Sequence, residues 1–452
     1  MPAISPARAA AFQILMTIER GKGHSDDLLR GKSVTNLSPQ DRNLATALVL
    51  GVLRWQIRLD HQVRAHLARP NARLDAEVLV ALRIAAFQLL HLDRIPARAA
   101  IDESVELAKQ AGHHFAARMV NAVLRKLAAA PPVEFPEDSV AHLALAFAHP
   151  AWLVERWTSS FGFEAAKDIC RHGQQQPEPS IRITATAAED ELAQQEIVLQ
   201  SGLLLTAART LSSGDITATA AFREGRIRVQ DEGSQLVAEI TGIAASNRTQ
   251  SQAKILDCCA APGGKTLILA ERNPMAHIVA CEASPQRLAQ LRERLAGHDV
   301  DCRLADATTL ADDGLYDLVL ADVPCSGTGT LGRNPEIRHR LKPDDLPRQA
   351  QRQRDLLATA LRAARPGGRI VYSTCSLESE ENEQVVAAVL ASAPKARPIP
   401  MTTRIEEMLR EGIVIASGAE RLHRSVTQEG FLRLLPGALK TDGFFVALFE
   451  KG

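Results

Sequence analysis

Apolar residues recur at helical spacing through the first third of the chain. The clearest series are Ala11, Ile14, Leu15 and Ile18, then Leu44, Leu48, Val52 and Trp55, then Val78, Leu82, Ala85, Leu89 and Leu90. Steps of three and four place each series on one face of a helix, and strand-like alternation is almost absent between residues 5 and 130. Ser38 before Pro39 is a typical helix start. The pattern predicts an all-helical bundle.

The middle of the chain changes character twice. A proline-rich stretch over residues 131–136 indicates a linker, and helical periodicity then resumes around Trp152, Leu153 and Trp157. Alternating apolar residues between about 178 and 230 predict a small α+β module. The segment VQDEGSQLVAEI then predicts a helix, with Asp231 as its cap and Gln235 as a surface residue.

From residue 253 to about 390, apolar runs of strand length alternate with helical patterns. This alternation predicts a doubly wound α/β sheet, in which ligands bind over the carboxyl ends of the strands. The segments GFLRLLP and DGFFVALFEK predict two closing strands and an antiparallel edge. Residues 395–428 are predicted to form a loop.

Charge is unevenly distributed along the 452 residues, although the formal net charge is zero. Residues 1–130 hold 18 Lys and Arg against 11 Asp and Glu, so a basic front end precedes an acidic body. Such an excess favours a polyanionic partner. The alternative is a solvated helix face, and it applies to each arginine considered there: Arg8, Arg42, Arg54 and Arg125.

The cysteine pattern excludes two common site types. Seven cysteines are scattered without C-x-x-C spacing, which argues against both a disulfide framework and a zinc site. No run approaches the roughly 20 apolar residues that a membrane span requires. We therefore expect a cytoplasmic protein without a bound metal or a membrane partner, and expect it to be a monomer.

Four short motifs carry the candidate chemistry: AKILDCCAAPGGKT, VACEAS, LADVPCSGTG and IVYSTCS. The first predicts a strand, a glycine turn and a helix start, where backbone N–H groups approach a nucleotide-like ligand. A P-loop would need glycine at Cys259, and a dinucleotide fingerprint would need a third glycine in register. Since neither phosphate motif fits, the turn suits an uncharged adenosyl group better than a triphosphate.

Acidic residues are predicted at the ends of four successive strands, namely Asp257, Glu282, Asp306 and Asp322. Glu282 stands where a carboxylate would bind a ribose diol, and Asp306 where an adenine edge would lie. Any one of them could instead be an ordinary strand-end cap.

Cys325 and Cys375 each lie where a predicted strand meets a loop rich in Gly, Ser and Thr. Such loops offer little apolar packing, whereas Cys170, Cys281 and Cys302 fit the role of small buried residues. A thiol beside a methyl donor suits pyrimidine C5 alkylation, because a thiolate that adds to C6 makes C5 nucleophilic. A carboxylic acid such as Asp322 would protonate N3, and a second group must help the sulfur leave.

The order of motifs is similar to that of one bacterial enzyme family. VQDEGSQ, DCCAAPGGKT, DVPCSGTG, NPEIR, YSTCSLESEENE and the final RLLP and DGFF resemble the 16S ribosomal RNA (cytosine-C5) methyltransferases of the RsmB (Sun or Fmu) type. The pieces ARAAAFQIL, LSPQDRNLATALVLGVLRW, IDESVELAKQAG and VNAVLRKL resemble a NusB-type RNA-binding domain. The resemblance implies a NusB-like helical domain (1–135), linker helices with an α+β module (136–235) and a Rossmann-like class I methyltransferase domain (236–452).

The resemblance also implies ligands and roles. S-adenosylmethionine would be the methyl donor, and ribosomal RNA of the small subunit the partner. The implied donor-binding residues are Cys259, Ala260, Ala261, Pro262, Gly263, Gly264, Lys265, Glu282, Asp306 and Asp322. Cys375 would be the nucleophile and Cys325 would assist product release, although the Pro-Cys pair of DNA cytosine methyltransferases, taken alone, points to Cys325.

Three positions depart from the family's commonest pattern. Glu282 stands where Asp is common, His339 replaces a Trp, and Ser379 replaces a Pro, so substrate contacts near the last two are open. Two other functions remain: C5 methylation of a different RNA, such as transfer RNA or another ribosomal site, and RNA binding by a NusB-like factor with an inactive methyltransferase domain. Retention of Cys325, Cys375 and Asp322 argues against the inactive factor.

Overall fold

The computed structural model describes residues 4–242 and 253–452. The chain divides into two compact units, the first ending at Gln176 but also including residues 331–341. The second unit contains residues 177–330 and 342–452. The three-part division with boundaries at 135 and 235 is a different partition and stays a prediction.

The first unit is helical, as the apolar spacing predicts. Its helices before residue 177 are α1 (Pro6–Glu19), α2 (Ser25–Leu29), α3 (Lys32–Thr35), α4 (Pro39–Ala65), α5 (Ala76–His91), α6 (Ala97–Gln110), α7 (Ala117–Ala129), α8 (Val140–Ala146), α9 (Ala151–Phe161) and α10 (Phe163–Gln174). Buried apolar side chains of α1, α4, α5, α6 and α7 form the core. Ser38 caps α4, because its hydroxyl accepts a hydrogen bond from the Asp41 amide.

The four arginines considered from sequence fall into two groups. Arg42 and Arg125 are exposed, as expected for a solvated helix face. Arg8 and Arg54 are buried, so the alternative of a solvated helix face is wrong for them. The Arg8 guanidinium donates hydrogen bonds to Gln88 Oε1 and to Glu103 Oε1, each with a donor–acceptor distance of 2.8 Å. Buried charges persist when they are paired and hydrogen-bonded, so Arg8 is a structural residue.

The second unit begins with the small α+β module predicted for residues 178–230. Its elements are β1 (Ser180–Ile183), α11 (Ala187–Gln194), β2 (Val198–Ser201), β3 (Ala208–Ser213), α12 (Ala220–Arg223) and β4 (Ile227–Val229). The strands form an antiparallel sheet in the order β2-β3-β1-β4. Apolar residues of the strands and of both helices form a small core of their own.

Helix α13 (Glu232–Ile240) follows, and its start agrees with the sequence. The Asp231 carboxylate accepts from the amides of Gly233 and Ser234, which satisfies two free N–H groups of the first turn. The surface position expected for Gln235 is wrong, since this residue is fully buried. Its amide donates to the Gln230 carbonyl over 2.9 Å, which offsets the cost of burying it.

The larger sheet carries the candidate site. The remaining elements of the chain are β5 (Lys254–Asp257), α14 (Gly264–Arg272), β6 (His277–Glu282), α15 (Pro285–Arg294), β7 (Val300–Leu304), β8 (Tyr316–Asp322), α16 (Ile337–Arg340), α17 (Asp345–Ala363), β9 (Ala364–Thr374), α18 (Glu383–Ser392), β10 (Ala396–Pro398), α19 (Met401–Arg410), α20 (Ala416–His423), β11 (Leu432–Leu434) and β12 (Phe444–Lys451). Parallel strands run in the order β9-β8-β5-β6-β7. Strand β12 joins β9 antiparallel, and β10 and β11 pair with β12, which confirms the predicted antiparallel edge.

Residues 395–428 do not form the predicted loop. They contain β10, α19 and α20, and the helices place Met401, Ile405 and Met408 in the core beneath the sheet. The spacing of these three residues is helical, but it is short and interrupted by polar residues. Packing against the rest of the unit stabilises these helices beyond what their own sequence would.

Residues 331–341, which contain α16, fold within the first unit although they interrupt the second in sequence. Glu336 and Arg338 are both buried. The Glu336 carboxylate accepts from the amide and hydroxyl of Ser25, over 3.0 and 2.8 Å. The Arg338 guanidinium donates to backbone carbonyls, including those of Arg54 and Gly173. The motif NPEIR is therefore partly a structural element of the helical unit.

His339 belongs to the same segment. Its Nε2 donates to the Leu53 carbonyl over 2.7 Å, inside the first unit. A Trp could form a similar N–H bond from its indole, so the replacement keeps a donor at this position.

Candidate active site

The loops that follow β5, β6, β8 and β9 meet at one edge of the sheet, because these strands are parallel. Asp257, Glu282 and Asp322 are the last residues of β5, β6 and β8, and Cys375 directly follows β9. Asp306 differs from the other acids, since it lies two residues beyond the end of β7. The topology thus gathers side chains that are up to 118 residues apart in sequence, from Asp257 to Cys375.

A cavity of about 460 Å³ opens at this edge. Its lining includes Cys259, Ala261, Glu282, Asp306, Asp322, Cys325 and Cys375 from the sequence-based set. A neighbouring cavity of about 170 Å³ is lined by Cys259, Ala260, Ala261, Pro262, Gly264, Lys265 and Asp322. The two cavities share Cys259, Ala261 and Asp322. Of the predicted residues, only Gly263 lines neither cavity.

Gly263 acts through the backbone. It precedes α14 with a φ of 97°, a left-handed conformation that glycine adopts without steric cost. Its amide donates to the Ala260 carbonyl over 2.7 Å, which closes the turn. The turn brings the start of α14, with its free N–H groups, to the edge of the sheet.

Glu282 and Asp306 have different surroundings. Glu282 is only 7% exposed, and its carboxylate accepts from the Ser284 amide over 2.8 Å. Asp306 is exposed, and its Oδ1 accepts from the amide and hydroxyl of Thr308. The Thr308 amide lowers the pKa of Asp306, with a further contribution from the hydroxyl. Asp306 is thus a local cap as well as a residue of the cavity wall.

Asp322 is held from two sides. Lys265 Nζ donates to its Oδ2 over 2.7 Å, and Ser373 Oγ donates to its Oδ1 over 2.7 Å. Burial by itself would lower the pKa of Lys265, but the Asp322 carboxylate raises it above its ordinary value. The lysine therefore stays charged at the wall between the two cavities.

Asp257 is buried beneath the glycine turn, with 1% of its surface exposed. Thr266 Oγ1 donates to its Oδ2 over 2.8 Å. Burial raises the pKa of Asp257 to about 7, and the nearby Asp322 carboxylate adds to this effect. The carboxyl group changes protonation near neutral pH and lines the smaller cavity.

Cys325 and Cys375 approach each other closely, with 3.4 Å between their Sγ atoms. The two loops pair along their backbones, since the Val323 amide donates to the Ser373 carbonyl and the Gly329 amide to the Cys375 carbonyl. The contact with the Cys375 thiol, followed by burial, raises the pKa of Cys325 well above its ordinary value. Cys325 therefore retains its proton in this arrangement.

Several residues of the two cavities were missed from the sequence. The larger is also lined by Arg287, Arg352 and Leu356, and the smaller by Gln230, Ser234 and Arg294. The motif VQDEGSQ, which contains Gln230 and Ser234, carried a signal for the second group. Arg352 lies within the helical pattern of α17, where nothing local separates it from an ordinary surface arginine.

Among residues 4–242 and 253–452, no group of three or more His, Cys, Asp or Glu side chains is placed to hold a metal ion. No helix in the same ranges is long and apolar enough to span a membrane.

The cavity over the strand ends of the larger sheet, beside the glycine turn after its first strand, lies where doubly wound folds bind nucleotide-like ligands. The family model described as 16S rRNA methyltransferase RsmB/F matches residues 245–450, and the NusB family model matches residues 5–129. The chain is 32% identical to the probable ribosomal RNA small subunit methyltransferase B of Bacillus subtilis, with 98% of each chain covered. It is also 32% identical to ribosomal RNA small subunit methyltransferase B of Pseudomonas putida, over 88% of this chain and 91% of that one. The chain belongs to the RsmB (Sun/Fmu) family of methyltransferases.

Solved structures agree with the fold. The crystal structure of PH0851 superposes with a TM-score of 0.77 at 24% identity and covers all of both chains. The structure of NSun6 from Pyrococcus horikoshii gives a TM-score of 0.55 at 20% identity, over 67% of this chain and 98% of that one. At these identities the similarity concerns the fold alone.

Proposed function

We propose that this protein transfers a methyl group from S-adenosylmethionine to C5 of a cytosine in 16S ribosomal RNA, through a covalent bond between Cys375 and C6. The observation that carries the proposal is the pair of thiols 3.4 Å apart in the wall of the larger cavity. One sulfur can add to the base while the other is within reach to act on the adduct. The names of the curated relatives support ribosomal RNA of the small subunit as the substrate.

The residues around the two cavities fit S-adenosylmethionine. Glu282 offers a buried carboxylate for hydrogen bonds to a ribose diol, and the glycine turn leaves room for a ligand against the backbone. In the smaller cavity, Gln230 Oε1 and Asp257 Oδ1 are buried polar atoms without a hydrogen-bond partner. Such atoms suit a ligand with donors, such as an amino group. When bound, the donor supplies an electrophilic methyl group.

Cys375 is the proposed nucleophile. Its thiol lines the larger cavity, 3.4 Å from Cys325 Sγ, and the thiolate is its reactive form. Addition forms the bond between Sγ and C6, and the electron pair of the C5–C6 double bond becomes available at C5. The base must lie unstacked in the cavity for this step, either in a loop or by flipping.

Asp322 is the proposed site of the proton on N3. Its carboxylate accepts from Lys265 and Ser373, which fix its orientation at the cavity wall, and as a carboxylic acid it would hold the proton for N3. This proton neutralises the negative charge that develops on the cytosine ring as the thiolate adds.

Cys325 is proposed to assist release. After methyl transfer, the C5 proton must leave before the electron pair can re-form the C5–C6 double bond and expel the Cys375 sulfur. The contact with the Cys375 thiol is the largest cause of the raised pKa of Cys325, and that contact changes once Cys375 is bonded to carbon. Cys325 then loses its own proton to solvent more readily, and the resulting thiolate accepts the proton from C5.

Methylation of purified RNA tests this function. The protein, S-adenosylmethionine with a labelled methyl group, and 16S ribosomal RNA from a strain lacking the protein should yield labelled 5-methylcytidine on nucleoside mass spectrometry. Bisulfite sequencing of the same RNA then locates the base. Transfer RNA from the same strain is the matched control. Label in transfer RNA alone would mean that transfer RNA, not 16S ribosomal RNA, is the substrate. Label at a base other than cytosine would contradict the proposed methylation of cytosine C5.

A further inference from the structure

Two adjacent residues, Glu381 and Asn382, lie just before α18 and are fully buried. Both belong to the sequence ESEENEQ, which continues the motif that contains Cys375. Helix α18 begins one residue later, at Glu383. The side chains of Glu381 and Asn382 extend to two different loops, those that carry Cys325 and Cys375.

Glu381 binds the loop of Cys325. Its Oε1 accepts from the Ser326 amide over 2.8 Å, and its Oε2 accepts from the Ser326 hydroxyl. Gln353 of α17 donates to the same Oε1 over 2.9 Å and to the Pro324 carbonyl over 3.0 Å. The residues on both sides of Cys325 are therefore held by one buried carboxylate and one buried amide.

Asn382 binds the loop of Cys375. Its Oδ1 accepts from the Thr374 hydroxyl over 2.6 Å, and its Nδ2 donates to the Ser376 carbonyl over 2.9 Å. The residues on both sides of Cys375 are thus held by a single side chain. An amide suits this position because it supplies an acceptor and a donor at once.

The two loops are joined directly as well. Ser326 Oγ and Ser376 Oγ, each one residue after a cysteine, lie 3.0 Å apart. Gly329 donates its amide to the Cys375 carbonyl, and a Cβ added at Gly329 would lie 2.8 Å from that oxygen. The spacing of the two sulfurs is therefore set by buried polar bonds rather than by contact between the thiols.

We propose that Glu381 and Asn382 are positioning residues with separate duties, Glu381 for release through Cys325 and Asn382 for attack through Cys375. Neither residue lines the cavities, so each acts through the cysteine loop it binds. The proposal rests on the function proposed above and adds two residues to it. Because the two side chains bind different loops, their removal should impair different steps.

The test for Glu381 compares Glu381→Ala with Glu381→Gln in the full-length protein. The alanine variant removes the acceptor of the Ser326 amide and one of the two partners of its hydroxyl. A displacement of the order of 1 Å in a reacting group can lower kcat by about a hundredfold. Since release is the impaired step, a covalent protein–RNA band should accumulate on a denaturing gel, as expected for Cys325→Ala. The glutamine variant keeps one oxygen for the Ser326 amide, so its rate should recover in large part. Glu380→Gln, which neutralises the adjacent half-buried acid, is the matched control.

The test for Asn382 uses Asn382→Ala, with Gln384→Ala as its control because Gln384 is an exposed amide of the same helix region. Attack should slow by about tenfold or more, so the rate of adduct formation in single-turnover experiments falls and no band accumulates. S-adenosylmethionine affinity, measured by calorimetry, should stay within about twofold of wild type in both variants, because neither side chain lines the cavities.

Each outcome decides between the two proposals. An adduct in Cys325→Ala but none in Glu381→Ala, or equal loss of both steps in both variants, would overturn the positioning roles and leave the function intact. Absence of an adduct from Cys325→Ala itself would instead contradict the covalent mechanism. If Glu381→Ala does not bind the donor, Gln353→Leu serves in its place, since it removes the Pro324 contact and keeps the carboxylate. A normal release rate in Gln353→Leu would then count against the proposal.

Discussion

Lys265 Nζ lies 2.7 Å from Asp322 Oδ2, and this ion pair links the glycine turn after β5 to the end of β8. Asp322 lines both cavities, and Lys265 lines the smaller one. The pair thus brings a positive charge into a site whose other walls carry Glu282 and Asp306. The Ser373 hydroxyl donates to the other oxygen of Asp322, so the carboxylate is fixed in orientation from both sides.

Replacement of Lys265 tests the role of this ion pair. In Lys265→Met, the Asp322 carboxylate loses its hydrogen bond from Nζ, so adduct formation should slow by about tenfold or more because the carboxylate is no longer held in place. Rapid-quench measurement of the covalent RNA adduct checks this. Lys254→Met, at the exposed start of β5, is the control. An unchanged rate would mean that attack does not require the ion pair.

The two sulfurs are expected to give opposite phenotypes. Cys375→Ala should abolish methylation and any covalent protein–RNA species, because the attacking sulfur is lost. Cys325→Ala should allow attack and methyl transfer but strand the adduct, which appears as a slowly migrating RNA-containing band on a denaturing gel. The reverse pattern would exchange the roles and assign this chain the mechanism of the DNA cytosine methyltransferases.

Glu282 is predicted to hold the donor. Glu282→Ala in the full-length protein should weaken S-adenosylmethionine binding by about tenfold or more, since hydrogen bonds to a charged group contribute about 1.5–3 kcal/mol. Isothermal calorimetry measures the change. Glu293→Ala, on the exposed face of α15, should bind normally. Equal affinities for the two variants would remove Glu282 from the site.

We expect the free energy of unfolding to depend on pH through Asp257. Its pKa is about 7 in the folded protein and 3.8 in its ordinary state. Because the folded-state value is the higher one, its contribution to stability is fully present below about pH 4 and is lost as the pH rises through about 7. This difference in the pKa of Asp257 corresponds to on the order of 4 kcal/mol in the free energy of unfolding.

Asp257→Asn should remove this pH-dependent contribution to stability, since an amide does not titrate. Urea unfolding of both proteins at pH 5 and pH 7.5 gives the comparison, because other titrating groups contribute equally and cancel. The free energy of unfolding of the variant, relative to wild type, should rise between the two pH values. Parallel changes in the two proteins would show that Asp257 does not titrate in this range.

We expect exposed arginines of the helical unit to make RNA affinity depend on salt concentration. Arg118 and Arg125 are exposed and seven residues apart on α7, which places them on the same side of the helix. If both bind phosphates, the double alanine variant should reduce the slope of log affinity against log salt by about 0.7 to 0.9 for each arginine. Filter binding to 16S ribosomal RNA at several salt concentrations measures the slope. An unchanged slope would mean that the RNA does not contact these two arginines.

Point substitutions test RNA binding better than deletion of residues 1–130. The deletion would remove Ser25 and Arg54, which bind Glu336 and Arg338 within the first unit. Two buried charges would lose partners, at a cost of several kcal/mol. A loss of RNA affinity would then reflect misfolding as much as lost phosphate contacts.

The sequence alone determined the order and type of most elements and the identity of the candidate site residues. The helical bundle, the alternating α/β region and the antiparallel edge follow from periodicities that repeat over several turns or strands, which local side-chain chemistry can encode. Short motifs contain the candidate site residues Cys325, Cys375, Glu282 and Lys265. The combination of glycines, acids and thiols in these motifs is typical of a functional site. The spacing of the motifs at strand ends also placed them together, because parallel strands present their carboxyl ends at one edge.

Only the tertiary structure decided which polar residues support these motifs. Glu381, Asn382, Arg54 and Arg338 belong to polar or helical stretches that look like solvated surface, and their burial depends on partners that are distant in sequence. The same holds for the helices of residues 395–428, which are stabilised by packing rather than by their own pattern. A side chain's burial and its hydrogen-bond partners are properties of the assembled core, so no local window of sequence contains them.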